Sequence, residues 1–238
     1  MFYFDEIAGK CILRSDLVED LNCFFTTREI VIKSGEQNFE KIVNANKKLL
    51  YDYLKVEELI SPVQTHSANI DFAIEGRFDY SDTDALILTN KKQAIFLNFA
   101  DCVPVILYDK KRHIAAVSHA GWRGTVQKIA PKTVQIMQSN PKDIIAVIGP
   151  AISLCCYNVG QGVFEQLEYT VKNFENLYEF KNNEIYVDLK GINAQQLKEI
   201  GVENIDLCPY CTCCNNDKFF SYRKENGTTN RHSAVIRL

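Results

Sequence analysis

The chain has 238 residues, enough for one large domain or two small ones, and 46% hydrophobic with 24% charged residues is the balance of a globular protein able to bury a sizeable core. Its 27 Lys and Arg are interspersed with 30 Asp and Glu, a net charge of −3 with no basic block, which excludes an electrostatic footprint for nucleic acid or an anionic membrane. No apolar stretch approaches the roughly 20 residues that span a bilayer, and "MFYFDEIAGK" lacks a basic segment followed by an apolar run, so a cytoplasmic protein binding neither nucleic acid nor membrane is expected.

With no internal repeat, low-complexity tract or Pro/Gly/Ser linker, residues 1–238 read as a single domain. In chain order, "CFFTTREIVI" predicts a strand region, and "NFEKIVNANKKLLYDYL" spaces Phe39, Ile42, Val43, Leu49 and Leu50 as a helix does. The short apolar runs "DALILT", "QAIFLNF", "VPVILYD" and "HIAAVSH" predict four strands, the last two joined by a hairpin turn over Asp109 to Arg112. "PKTVQIMQS" predicts a helix that starts near Pro131 or is kinked there, since proline is tolerated only in a first turn. "DIIAVIGPAI" follows as a strand, "GVFEQLEYTVKNF" as a helix, "EIYVDL" as a strand and "INAQQLKEIG" as a helix stopped by Gly201. "FFSYR" and "SAVIRL" read as closing strands. The sum is an α+β chain, a mixed α/β sandwich with some antiparallel pairing and helices flanking the sheets.

Nine cysteines are many for a reducing compartment and too uneven for full pairing, so they read as thiols, metal ligands or small buried residues. Of four histidines, His113 sits at the hairpin turn and takes a plain surface role, and His66 and His119 stand near strand ends, as does Cys102 in "NFADCVPVILYD". Two imidazoles and a thiolate make a three-ligand zinc site that leaves a position open for chemistry. Copper also accepts such ligands. A rival cluster, Cys208, Cys211, Cys213 and Cys214 in "CPYCTCC", has zinc-knuckle spacing but no second pair to complete it, so buried or pocket-lining thiols are the favoured reading. Core packing is favoured for Cys155 and Cys156. Arg123, Arg223 and Arg231, with Arg28 as a weaker member, lie in polar or glycine-rich contexts where a guanidinium can hold phosphate or carboxylate.

"QTH" (64–66), "TDALILT", "ADCVPVILYD", "SHAGWRGT", "IGPAI" with "CCYNVG", and "CTCC" with "FFSYRKENGTTNRHSAVI" together resemble the YfiH-like family. That family is also called the laccase-domain or multicopper polyphenol oxidase family, and its members include purine nucleoside phosphorylases. The likeness runs in order from about Phe24 to the C-terminus. It implies the YfiH-like fold, a zinc ion held by His66, Cys102 and His119, and a catalytic group of those three with Asp101. The implied activity is phosphorolysis of adenosine, inosine, guanosine and methylthioadenosine to free base and ribose 1-phosphate, with deamination of adenosine. Alternatives attached to the family are a peptidoglycan-editing hydrolase acting on muramyl precursors and a copper polyphenol oxidase. Four histidines are too few for imidazole-rich multicopper ligation, which ranks copper below zinc.

The chain departs from the family pattern in three places. Thr27-Arg28 is not followed by a glycine pair, Thr229-Asn230-Arg231 stands where Thr-Gly-Arg is usual, and Cys213 replaces a tyrosine. For deamination, the expectation is a metal-activated water at the purine C6 with Asp101 moving the proton. For phosphorolysis, phosphate itself attacks the anomeric carbon while one or more of Arg28, Arg123, Arg223 and Arg231 neutralise it. Cys102 as a histidine-paired nucleophile is the alternative to Cys102 as a ligand. The expected partners are small molecules, purine nucleoside and phosphate, with the protein a monomer or weak homo-oligomer.

Overall fold

Short apolar runs punctuated by turn residues give this chain many strands and few long helices. The computed structural model describes residues 1–238. In chain order the elements are β1 (Phe2–Ile7), β2 (Lys10–Ser15), β3 (Asn22–Thr26), α1 (Glu40–Leu54), β4 (Glu58–Ile60), β5 (Ile70–Phe72), β6 (Ala85–Leu88), β7 (Gln93–Phe99), β8 (Val103–Asp109), β9 (Ile114–Ala120), α2 (Trp122–Val126), α3 (Ile129–Ile136), β10 (Ile144–Ile148), β11 (Asn158–Val159), α4 (Gln161–Glu168), β12 (Tyr178–Lys181), β13 (Glu184–Val187), α5 (Leu189–Glu199), β14 (Asn204–Leu207) and β15 (His232–Arg237). The first sheet has the order β1-β2-β3-β15-β7-β4, the second β14-β10-β8-β9-β6-β5, and a small third sheet β11-β13-β12. Both large sheets are mixed: β4 with β7, β5 with β6 and β10 with β14 run parallel, and the other pairs are antiparallel.

Successive side chains on a strand point to opposite faces, and that alternation sorts the core into layers. Ile95, Leu97 and Phe99 of β7 meet Ile106 of β8 and Val117 of β9 between the two large sheets. The alternate residues of the first sheet, Ala94, Phe96 and Val235, face Leu50 and Leu54 of α1. Val105, Leu107, Ala116 and Ile144 of the second sheet face Ile129 and Val134 of α3 and Ile192 and Leu197 of α5. The result is a helix–sheet–sheet–helix sandwich, the mixed α/β class expected. Its continuous apolar strands are buried on both faces, which is why they read as unbroken runs rather than as alternation.

Several elements differ from the sequence reading. β1 and β2 form a hairpin that the reading left unassigned; Ile7 pairs with Lys10, and Ala8 and Gly9 between them both take positive φ, 50° and 73°. "FFSYR" is not a strand but a series of turns, with Phe219 and Phe220 buried. There the backbone is satisfied by side chains: Glu225 Oε1 accepts from Ser221 N at 2.9 Å and from Asn216 Nδ2 at 2.8 Å. In α1 the buried face carries Asn46, Leu50 and Leu54, while Ile42 is exposed; Asn46 donates to the Val31 carbonyl at 2.9 Å and accepts from Lys10 Nζ at 2.7 Å. Pro131 is the third residue of α3, inside the first turn whose N–H groups have no helical partner. α4 stops at Glu168, short of the predicted span, and Gly201 past α5 takes φ 98° as the stop requires.

One corner of the topology positions the cleft residues. β7 belongs to the first sheet and β8 to the second, yet only Ala100, Asp101 and Cys102 join them. The chain turns this corner with Asp101 at φ 88°, a conformation unusual for a residue with a Cβ.

Candidate active site

The corner between β7 and β8 places Cys102 immediately before β8, and the pairing of Pro104 with His119 brings the end of β9 beside it. His66 arrives on the loop between β4 and β5 with its backbone at φ 63°, in the left-handed region. The two imidazole rings stand edge to face at 4.8 Å between centroids. His66, Cys102 and His119 each offer one ligand atom, all within 4.8 Å of one another, with His66 exposed, Cys102 half-buried and His119 buried. One soft sulfur and two imidazoles, held this close, suit a single ion of the zinc or copper type.

Asp84, immediately before β6, organises the group, and the sequence reading did not single it out. Its Oδ1 accepts from His119 Nδ1 at 2.6 Å, which fixes the tautomer and leaves Nε2 free as the donor atom. The same carboxylate accepts from three consecutive backbone amides, Thr65 at 3.0 Å, His66 at 3.2 Å and Ser67 at 2.8 Å, and from Ser67 Oγ at 2.8 Å. One carboxylate therefore aims His119 and pins the strained turn that presents His66. Its signal in the sequence is its place in the "TDALILT" motif, an acid directly ahead of the apolar run "ALIL", and the structure buries it completely.

Electrostatics follow from this packing. Burial alone would raise the Cys102 thiol, but the neighbouring His119 and His66 outweigh it and bring it down to about 6. Burial would lower His119, but the Cys102 sulfur and the Asp84 carboxylate raise it to about 9. Burial opposes the charge on Asp84 too, yet His119 and the amides of Thr65 and Ser67 hold it well below the usual carboxylate range. In the metal-free protein the sulfur and the imidazole thus each favour the charged form of the other.

Gly121 packs directly on the group. A Cβ there would lie 3.1 Å from both Cys102 Sγ and His66 Cδ2, so the glycine of "HAGW" is required by close approach.

The trio opens into a cleft of about 920 Å³. Trp122, Tyr157 and Ile152 contribute apolar wall, and Lys33, Arg223 and Arg231 contribute positive charge. Burial first, and the Cys102 sulfur second, push the Tyr157 phenol up, so it stays a protonated donor. Arg231 is braced through Nη1, which donates to the carbonyls of Thr228 at 2.6 Å and Asn230 at 2.8 Å. Arg223 holds Asn158 through both terminal nitrogens.

The four arginines separate. Arg223 and Arg231 line the cleft; Arg28 and Arg123 do not. Arg28 ion-pairs with Glu225, donates to the Phe219 carbonyl at 3.2 Å and stacks 4.2 Å over Phe220, so it ties the loop after β3 to the turns before β15. Arg123 is exposed on α2 with its guanidinium 4.4 Å over Trp122. Lys33 takes a place in the cleft that sequence reasoning missed; it bridges to Arg231 across an isolated antiparallel contact. Asp101 lines the cleft, but both its oxygens are engaged, Oδ1 by Thr212 Oγ1 at 2.6 Å and Oδ2 by the Arg223 amide at 2.7 Å. His113 stands at the hairpin turn, 3.5 Å from the Tyr108 hydroxyl, and His232 is buried on β15.

Comparison with known proteins assigns the family. The family described as multi-copper polyphenol oxidoreductase laccase matches residues 26–238. A purine nucleoside phosphorylase of Bacteroides thetaiotaomicron is 33% identical over 201 residues, 76% of this chain and 74% of that protein. One from Clostridium acetobutylicum is 34% identical over 202 residues, 81% and 82% of the two chains. Among solved structures, the hypothetical protein YfiH of Bacillus licheniformis superposes with a TM-score of 0.89 at 30% identity over 99% of this chain and 98% of that one. YlmD from Geobacillus stearothermophilus gives 0.87 at 29% identity, over 98% of each. With the fold and most of its length shared, this chain belongs to the multi-copper polyphenol oxidoreductase laccase family, the YfiH-like proteins.

Proposed function

We propose that the protein is a purine nucleoside phosphorylase whose site is built on a zinc ion held by His66, Cys102 and His119. The observation that carries the reading is the juxtaposition, in one cleft, of that ligand trio with a cationic rim of Lys33, Arg223 and Arg231 and an aromatic wall of Trp122 and Tyr157. Phosphorolysis needs these parts together: positive charge for phosphate, a flat apolar surface for the purine, and an electrophilic centre for the atom that gains electron density. Copper oxidase chemistry asks for several neighbouring metal sites, and here only two imidazoles converge while His113 and His232 lie elsewhere.

When bound, the zinc supplies Lewis acidity at the open end of the trio. The chain's residues do the rest. Arg231, braced by two carbonyls, and Arg223 and Lys33 beside it neutralise phosphate and direct one of its oxygens to the anomeric carbon of the ribose. Trp122 and Tyr157 hold the base, and the Tyr157 phenol donates a hydrogen bond to it. The C–N glycosidic bond breaks, its electron pair leaves with the purine, and ribose 1-phosphate remains. Asp101 is a positioning residue: with Thr212 and the Arg223 amide on its two oxygens, it fixes the corner that carries Cys102. Adenosine deamination is the second activity expected at the same centre: water adds at the purine C6 and the exocyclic amine leaves as ammonia, giving inosine.

The test is incubation of the purified protein with inosine and phosphate, following hypoxanthine and ribose 1-phosphate. Equimolar formation of both, abolished when Arg231→Ala is used at the same phosphate concentration, is the expected result. Inactivity on every purine nucleoside, with release of product from a muramyl precursor, would replace the reading by the cell-wall one.

A further inference from the structure

Behind the cleft, the fold completes a cysteine group that the sequence leaves unpaired. β10 ends in the loop from Gly149 to Tyr157, and β14 runs parallel to β10, so the segment after β14 follows alongside. Ala151 bridges Cys211, and Thr212 N donates to the Ala151 carbonyl at 3.1 Å. That stitching sets Cys155 and Cys156 from one loop against Cys211 and Cys214 from the other, with all four sulfurs within 4.8 Å of one another. Cys214 Sγ lies 3.6 Å from that of Cys155 and 3.4 Å from that of Cys156. Core packing, the expectation for Cys155 and Cys156, is overturned: Cys155 is exposed and Cys156 half-buried. Cys208 is buried in the layer between the sheets, and Cys213 stands outside the group.

We propose that Cys155, Cys156, Cys211 and Cys214 form a second metal site, a structural tetrathiolate centre for zinc. A tetrahedral ion with Zn–S bonds of about 2.3 Å requires sulfurs about 3.8 Å apart, and the cluster is already near that spacing without an ion. Two pairs from separate loops are the usual construction of such a site. A backbone donor is in place as well, since Ser153 N donates to Cys211 Sγ at 3.4 Å, the kind of outer contact that orients a thiolate ligand. Binding releases the thiol protons and leaves a centre carrying two negative charges. The buried Lys190 braces the same loop, its Nζ donating to the carbonyls of Cys208 at 2.6 Å and Tyr210 at 3.2 Å.

The placement gives the ion a purpose. Cys156 is followed directly by Tyr157, Asn158, Val159 and Gly160, all in the cleft wall, and Thr212 between the ligand cysteines holds Asp101. Zinc at this point staples the wall of the cleft to the corner that presents Cys102, whatever substrate the cleft takes.

Zinc analysis of intact protein purified without chelator tests the assignment, with wild type, Cys102→Ala and the double variant Cys211→Ser/Cys214→Ser compared. The expected wild-type content is about one zinc per chain beyond that of the His66, Cys102 and His119 site. Cys102→Ala retains that further zinc and the double variant loses it. Equal zinc in wild type and double variant overturns the proposal. So does an intact mass about 2 Da short, which would show a disulfide from Cys214 to Cys155 or Cys156. Alkylation of the native wild type followed by peptide mapping gives a reading independent of the double variant's folding. Protection of the four cysteines that disappears on adding a chelator supports the site, and labelling of exposed Cys155 and Cys214 at the same rate with and without chelator refutes it.

Discussion

Asp84 shows how much of a site can hang on one side chain that carries no chemistry of its own. It binds His119 through Nδ1 and the amides of residues 65 to 67 through the same carboxylate, so it sets the aim of both imidazoles. Asp84→Asn is expected to weaken metal retention and phosphorolysis by about 10–100-fold, the usual effect of losing a carboxylate behind a ligand histidine. Zinc loss to a competing chelator measures the first and hypoxanthine release the second; an unchanged variant would mean that the backbone alone positions the histidines. Gly121→Ala tests the other side of the group, where a methyl would press on Cys102 Sγ and His66 at 3.1 Å. The expected outcome is a fall of at least about tenfold in kcat/KM with little change in the unfolding midpoint, read by parallel kinetics and urea denaturation. At this scale the residues that converge as candidate ligands were legible and their support was not. Histidine and cysteine announce metal chemistry by type, whereas an aspartate ahead of an apolar run and a glycine after a histidine declare their roles only through contacts made across 17 residues of chain or more.

Elements were legible where burial dominates. The strands β7 to β10 and the helix α1 follow from apolar runs and spacing, and all lie close to where they were expected. The β1–β2 hairpin escaped because its strand residues Tyr3, Phe4, Asp5 and Glu6 are all exposed, and its turn is Ala-Gly rather than a stronger turn pair. Ala8 at φ 50° bears a Cβ in the left-handed region, so Ala8→Asn, which creates the preferred turn sequence, should stabilise the protein by up to about 1 kcal/mol. A urea midpoint that does not rise would show that the turn is not of that kind. In α1 the buried Leu50 carries the contact with the first sheet. Leu50→Ala is expected to cost about 2–5 kcal/mol, while Ile42→Ala on the exposed side costs little, measured by the same denaturation.

For the whole molecule, His232 couples folding to pH. It is buried on β15 between Phe99 and Phe219, and burial, aided by the charges of Arg231 and Arg28, lowers it to about 3. The unfolded chain binds a proton near pH 6.5 that the folded chain refuses. Stability from this group is therefore complete above about pH 6.5 and is lost as pH falls toward 3, at about 1.4 kcal/mol per unit. Wild type should lose about 2 kcal/mol from this source between pH 7 and pH 5, and His232→Leu should lose correspondingly less over the same interval. Equal losses in the two proteins would mean that the histidine is free to ionise in the folded state.

The sequence by itself determined the class of the fold, the strands of the central sheets and the grouping of His66, Cys102 and His119 as candidate ligands, because burial writes apolar runs and metal chemistry selects residue types. Only the tertiary structure decided which groups surround them. It removed Arg28 and Arg123 from the cleft, added Lys33 to it and set buried Asp84 behind His119. It also gave the CPYCTCC segment its missing partners in Cys155 and Cys156. The physical reason is common to all of these: a side chain's charge and ligating atom are local properties, but its neighbours depend on how β7 crosses to the second sheet and on how β10 and β14 run side by side. Those pairings are set by the packing of the whole core, which no short stretch of the chain encodes.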